Sequence, residues 1–254
     1  MKKLLTSKET PVYETINEKG KSSIFLTCDH ASYKIPEKLA GLGLQENITE
    51  THIGWDIGAL DVAKSISHAI DAPLFFTNYS RLVIDCNRPP LGNDSIPESI
   101  HGIRIPGNSD LSENELNQRV KEIFDPYHQA IDESISYHRS IKERINLLAV
   151  HSFTPVLSGK VRPWPIGITF EYETPFSTFL LSRLRTYDFQ PIGENEPYPI
   201  TPEGDYGLYR HGKDKGIASV LLEIRQDYLE QEDTRNKIIH ILSTILKEFD
   251  NPIV

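Results

Sequence analysis

Apolar residues along this chain fall into short unbroken runs that alternate with stretches of helical period. The runs at 23–28 ("SIFLTC"), 145–150 ("INLLAV") and 218–222 ("ASVLL") are continuous, as in strands covered on both faces. "APLFFTNYS", "RLVIDCN" and "PIGITFEYE" read as further strands, the second closing at the turn "RPPLGND". "IPEKLAGLGL" is a short helix or turn entered through Pro36, and residues 57–70 bring Leu60, Ala63, Ile66 and Ile70 onto one helical face. "LSENELNQRVKEIFDPYHQAIDESISYHRS" reads as one long helix or a pair. Ser112 and Glu115 open it as a capping box, and Pro126 should kink or break it. A helix near 175–186 follows, and a closing helix over 230–249 turns Ile238, Ile241, Leu242, Ile245 and Leu246 inward.

Strand and helix in alternation predict an α/β fold with a mixed, mainly parallel sheet flanked by helices. No linker divides the chain, so one domain is expected over 1–254, with its core at about 20–230. Two stretches rich in Gly, Pro, Asn and Ser lack a period. They are the expected lids, 92–110 and 193–211, with His101, Tyr198, Tyr209 and His211 as candidate contacts.

The ionisable residues follow the strands. Three of the apolar runs end in Asp29-His30, in His151, and in Glu223 with Arg225, and "RLVIDCNR" ends in Asp85, Asn87 and Arg88. In open α/β sheets ligands bind in the crevice beyond the carboxyl ends of the strands, so these tips should converge on one site. A lone histidine at a strand end is more often structural. Two of them, with a glutamate and an arginine in the same place, point to chemistry.

Net charge is −9 with a pI near 5.5, which gives no global basic field for nucleic acid or anionic lipid and leaves room only for a local basic pocket. Cys28 and Cys86 are isolated, without metal or redox spacing, as suits a reducing compartment. "MKKLLTSKETPVYE" has too short an apolar centre for a signal peptide, and no window reaches the roughly 18 apolar residues of a membrane span. A cytoplasmic location is expected, with no nucleic-acid or membrane partner. The sequence is silent on oligomeric state.

Imidazoles with a carboxylate are a typical zinc shell, and a carboxylate outside that shell can act as general base. His30 and His151 with one of Asp29, Asp56 or His52 could hold the metal, and Glu223 is the natural base. A nucleophilic triad has less support. Ser32 and Ser152 lie outside any GxSxG elbow, and both thiols sit within apolar runs. GxGxxG, GxxxxGK[ST] and HExxH are all missing.

Six blocks in order, "TCDHASYKIP", "THIGWDIGALDVAKSI", "SRLVIDCNRP", "AVHSFTP", "IGENEPY" and "SVLLEIRQD", resemble the N-formylglutamate amidohydrolase family over about residues 20–230. The resemblance implies a phosphorylase/hydrolase-like α/β fold and one zinc ion, with kinship to zinc carboxypeptidases and N-acetylmuramoyl-L-alanine amidases. It puts His30 and His151 at the metal with Asp56 as the third ligand, Asp29 and His52 remaining alternatives. Glu223 takes the place of the catalytic glutamate. Asn87-Arg88 resembles the pair that carboxypeptidases use on the substrate carboxylate, and Arg81 and Arg225 are further substrate-binding candidates. The implied activity is hydrolysis of a small anionic N-acyl amino acid, N-formylglutamate among them. A zinc peptidase or cell-wall amidase is the alternative, and a non-catalytic binding protein on the same fold a third reading.

Overall fold

The computed structural model describes residues 3–251. The first two residues of the N-terminal segment and the last three of the chain, included in the expected domain, lie outside the described residues. The strands are β1 (Tyr13–Ile16), β2 (Ile24–Cys28), β3 (Leu74–Thr77), β4 (Ser99–Ile100), β5 (Ile103–Arg104), β6 (Asn146–Phe153), β7 (Val156–Leu157), β8 (Lys160–Val161), β9 (Ile166–Thr169), β10 (Ile192–Glu194) and β11 (Ala218–Arg225). The α-helices are α1 (Glu46–Thr49), α2 (Ala59–Ile70), α3 (Glu113–Arg119), α4 (Asp125–Ile141), α5 (Pro175–Leu184), α6 (Gln226–Glu230) and α7 (Glu232–Asp250).

Seven strands form one sheet in the order β1-β3-β2-β6-β11-β9-β10, and the pairs β4–β5 and β7–β8 are separate hairpins. The four central strands, β3, β2, β6 and β11, run parallel. β9 runs antiparallel to β11 and β10 parallel to β9, while β1 borders β3 antiparallel. The α/β fold with a mixed, mostly parallel sheet is therefore as expected.

Both faces of the sheet are covered, which is why its central strands are apolar without alternation. One core joins Leu148, Val150, Val220 and Leu222 to α2, α5 and α7. The other joins Leu147, Ala149 and Leu221 to Phe124, Tyr127, Ile131 and Ile135 of the α4 region. Among the described residues no helix is long and apolar enough to cross a membrane.

Three expectations need correction. "RLVIDCN" is not a strand: residues 81–87 form turns although Leu82, Val83 and Ile84 are buried. Side chains replace the ladder, since Asn108 Nδ2 donates to the Leu82 carbonyl at 2.9 Å and Arg119 Nη1 to that of Val83 at 2.8 Å. An apolar run can thus be buried as a loop once its carbonyls find donors.

The second correction extends β6 and β11 past their apolar runs, so that His151 and Glu223 lie within strands instead of beyond them. The third concerns the irregular stretches, which contain the β4–β5 hairpin and β10. The capping box at Ser112 and Glu115 is present. Pro126 marks the expected division of the long helix, but the two halves stay joined through a π-helical turn over Val120–Phe124, whose wider loop accommodates a residue without an N–H.

Candidate metal centre

Four chain segments bring the site together. Asp29 and His30 follow β2, where the Asp29 carbonyl accepts from Thr77 Oγ1 at 2.7 Å and the His30 carbonyl from the Asp56 N–H at 2.9 Å. Asp56 precedes α2, whose entry runs through Gly58 at φ +79°; a Cβ there would also lie 2.7 Å from Leu229 Cβ. His151 belongs to β6 and Glu223 to β11, and the two are register partners on adjacent strands.

His30, Asp56 and His151 are buried, and one ligand atom from each lies within 4.8 Å of the others; among the described residues they are the one such trio. The two imidazoles face the same Asp56 oxygen but are bonded through opposite nitrogens. His30 turns Nδ1 toward Asp56 Oδ2 at 3.5 Å and Nε2 to Asp85 Oδ1 at 2.7 Å. His151 turns Nδ1 to the same Asp56 oxygen at 2.8 Å and Nε2 toward Asp29 Oδ2 at 3.6 Å. Each ring therefore offers one nitrogen to the trio while a second carboxylate faces the other. Metal-ligating histidines are commonly oriented in this way.

The outer carboxylates are themselves fixed. Asp29 accepts from Tyr127 Oη at 2.5 Å, and Asp85 Oδ1 accepts the Asn87 N–H at 2.8 Å. Gly207 packs its main chain here, donating to Asn87 Oδ1 at 3.1 Å, and a Cβ on it would stand 3.3 Å from Asp29 Oδ2.

Electrostatics separate the two histidines. Burial and the nearby Arg81 charge push His30 down to about 4. Burial also disfavours the His151 cation, but the carboxylates of Asp29 and Glu223 outweigh it and leave His151 above its ordinary value. Burial raises Glu223 to about 7, with Asp205 adding to the effect. For Asp85 burial is overcome by His30, Arg88 and Arg81, which hold its carboxyl well below the usual range.

A cavity of about 560 Å³ opens over these groups. Asn87, Arg88 and Arg81 lie on its wall. Arg81 Nη2 hydrogen-bonds Asp56 Oδ1, while Arg88 Nη1 donates to the carbonyls of Asn87 and Gly204. Arg225 is the exception: it does not line the cavity, and its Nε and Nη2 meet Asp227 at 2.9 and 3.2 Å. His52 stays outside the trio, on the cavity wall with its ring 6.1 Å from that of His101. Tyr198 also lines the cavity. Tyr209 and His211 do not, His211 being bound between His128 at 2.7 Å and Asp132 at 2.9 Å. Ser152 Oγ is committed to the Ile57 carbonyl at 2.8 Å.

Sequence reasoning missed Tyr127 and Arg162. Tyr127 carried no signal beyond an apolar helix face. Arg162 follows the Ser158-Gly159 turn, a hairpin cue that was legible, but the cue says nothing of where the arginine points.

A sequence model of the N-formylglutamate amidohydrolase family matches residues 22–229. The crystal structure of gene product Atu2144 from Agrobacterium tumefaciens is 31% identical, covers 97% of each chain and superposes with a TM-score of 0.92. The crystal structure of N-formylglutamate amidohydrolase from Ralstonia eutropha JMP134 is 14% identical over 95% of this chain and 97% of that one, with a TM-score of 0.68, a likeness of fold. No curated protein matches the chain.

Proposed function

The chain belongs to the N-formylglutamate amidohydrolase family, and from that premise we propose a zinc-dependent enzyme that hydrolyses the amide of a small anionic N-acyl amino acid, N-formylglutamate foremost. The observation that carries the reading is the shared posture of His30 and His151, each with Nδ1 toward Asp56 and Nε2 facing a second carboxylate. Among the described residues His30 Nδ1 is buried without a hydrogen-bond partner, which fits a nitrogen that receives a metal, whereas His151 Nδ1 is bonded to Asp56 Oδ2, a bond that a metal would replace. Two imidazoles and one carboxylate suit zinc with an open fourth position. Bound by His30, Asp56 and His151, zinc would supply Lewis-acid polarisation of the acyl carbonyl and ease deprotonation of water.

The remaining work falls to the chain. Glu223, raised to about 7 in its buried position, is poised to take a proton from the attacking water and give it to the departing nitrogen. The water oxygen bonds to the acyl carbon, the C–N bond breaks, and the products are a carboxylic acid and a free amino acid. Arg88 and Asn87 are placed to bind the substrate carboxylate, and Arg81 adds positive charge beside Asp56. Asp29 and Asp85 keep the rings turned.

The test is metal content after purification without added zinc, followed by formate and amino-acid release from a panel of N-acyl amino acids. Bound zinc with release from anionic members supports the reading. A wild-type protein that binds no zinc, or that cleaves none of the panel when loaded, refutes it.

A further inference from the structure

Arg162 is 8% exposed, lines the cavity, and has no carboxylate within ion-pair distance among the described residues. Its guanidinium lies 4.9 Å from the Tyr198 ring and 5.5 Å from that of Phe153, with one long hydrogen bond, 3.4 Å, to the Thr154 carbonyl. A buried guanidinium without a counter-ion is costly unless a ligand supplies the charge.

Among the described residues Arg88 is the other cavity arginine without a carboxylate in ion-pair contact, and the two come from different segments, Arg88 from the turn after Asp85 and Arg162 from the chain just after β8. Arg88 is tied to two main-chain carbonyls, as an anchor for the α-carboxylate common to all N-acyl amino acids would be. Arg162 has two ring faces beside it and, among the described residues, no carboxylate on its fork, which suits a short methylene chain that ends in a second carboxylate.

Arg225 explains how Arg162 is held. Its Nη1 donates to the Arg162 carbonyl at 2.7 Å, its own N–H donates to the Pro165 carbonyl at 2.9 Å, and Asp227 clamps the rest of its guanidinium. The segment 162–165 is thereby fastened to β11, two residues from Glu223.

We propose that Arg162 reads the side-chain carboxylate of a dicarboxylic N-acyl amino acid, and that Arg225 is its positioning residue. The inference rests on the amidohydrolase reading above and deepens it to the residues that set its selectivity.

N-formyl-L-glutamate and N-formyl-L-glutamine differ in that one carboxylate, so kcat/KM on both isolates it. Wild type should prefer the glutamate substrate. Arg162→Ala should lose roughly 10- to 100-fold on it, chiefly through KM, and change about threefold or less on the glutamine substrate. Arg162→Lys, which keeps the charge without the fork, should retain part of the preference. Arg225→Gln should narrow the ratio in the same direction, which a general loss of stability would not do. A wild type indifferent to the pair, or an Arg162→Ala or Arg162→Lys protein that loses equally on both substrates, overturns the inference while leaving the amidohydrolase reading standing. A wild type that cleaves no N-acyl amino acid overturns both.

Discussion

His151 and Glu223 occupy the same register position on neighbouring parallel strands, so the ladder between β6 and β11 sets a metal-ligand candidate beside a proton-carrying candidate. Strand spacing of about 4.8 Å brings their side chains together without any loop having to fold over the site. Glu223 enters the strand interior as a carboxyl raised to about 7, and its Oε2 has no hydrogen-bond partner among the described residues.

Glu223→Gln keeps the shape and removes the base. Zinc content should remain at the wild-type level while kcat falls about 10²- to 10⁴-fold, read by metal analysis and formate release on the same sample. His151→Ala should behave oppositely and lose the metal.

Asp85 touches no substrate in this scheme but fixes His30 through Nε2 at 2.7 Å. Asp85→Asn should weaken zinc binding about 10- to 100-fold, measured by competition with a chromophoric chelator. Unchanged affinity would mean that the imidazole is oriented by other contacts.

Proton competition should appear in two steps. His151 titrates above its ordinary value and His30 near 4, and both must shed protons to take a metal. Protons therefore compete increasingly as pH falls. Below the raised His151 value the zinc dissociation constant should rise about tenfold per pH unit, steepening to about a hundredfold per unit below about 4. Calorimetric zinc titrations at several pH values give the slope directly.

Arg119 is buried and donates to the carbonyls of Val83 and Gly107 at 2.8 and 2.9 Å and to Asn108 Oδ1 at 2.7 Å. Arg119→Ala should orphan these acceptors and lower unfolding free energy by about 2–4 kcal/mol, read by urea denaturation. Activity should fall with it, because the same loop continues into Asp85, Asn87 and Arg88.

The fold was legible where burial on both faces left unbroken apolar runs, as in Ile24–Cys28 and Ala218–Leu222. "RLVIDCN" shows the limit of that signal. Leu82, Val83 and Ile84 are apolar for the same reason as a strand is, but the donors that satisfy their carbonyls come from residues 108 and 119, beyond the reach of any local pattern. The trio His30, Asp56 and His151 could be expected from strand tips and family likeness, and the structure brings those residues together. Arg225 and Arg162 could not be told apart in this way. Both follow apolar or turn segments, and only the packing shows one clamped by Asp227 and the other facing the cavity.

The π-helical turn between α3 and α4 has a consequence for how the segment can vary in length. Such a turn holds one residue more than an α-helical one, and one residue rotates a helix by about 100°. Arg119 before the turn must face Val83 while Tyr127 after it must face Asp29. Deleting one of residues 120–124 would leave an α-helical turn with both side chains still facing their partners, whereas deleting two would rotate one of them away by about 100°. The chain can therefore differ by one residue at this point and no more, so long as Ile123 and Phe124 keep their places in the core.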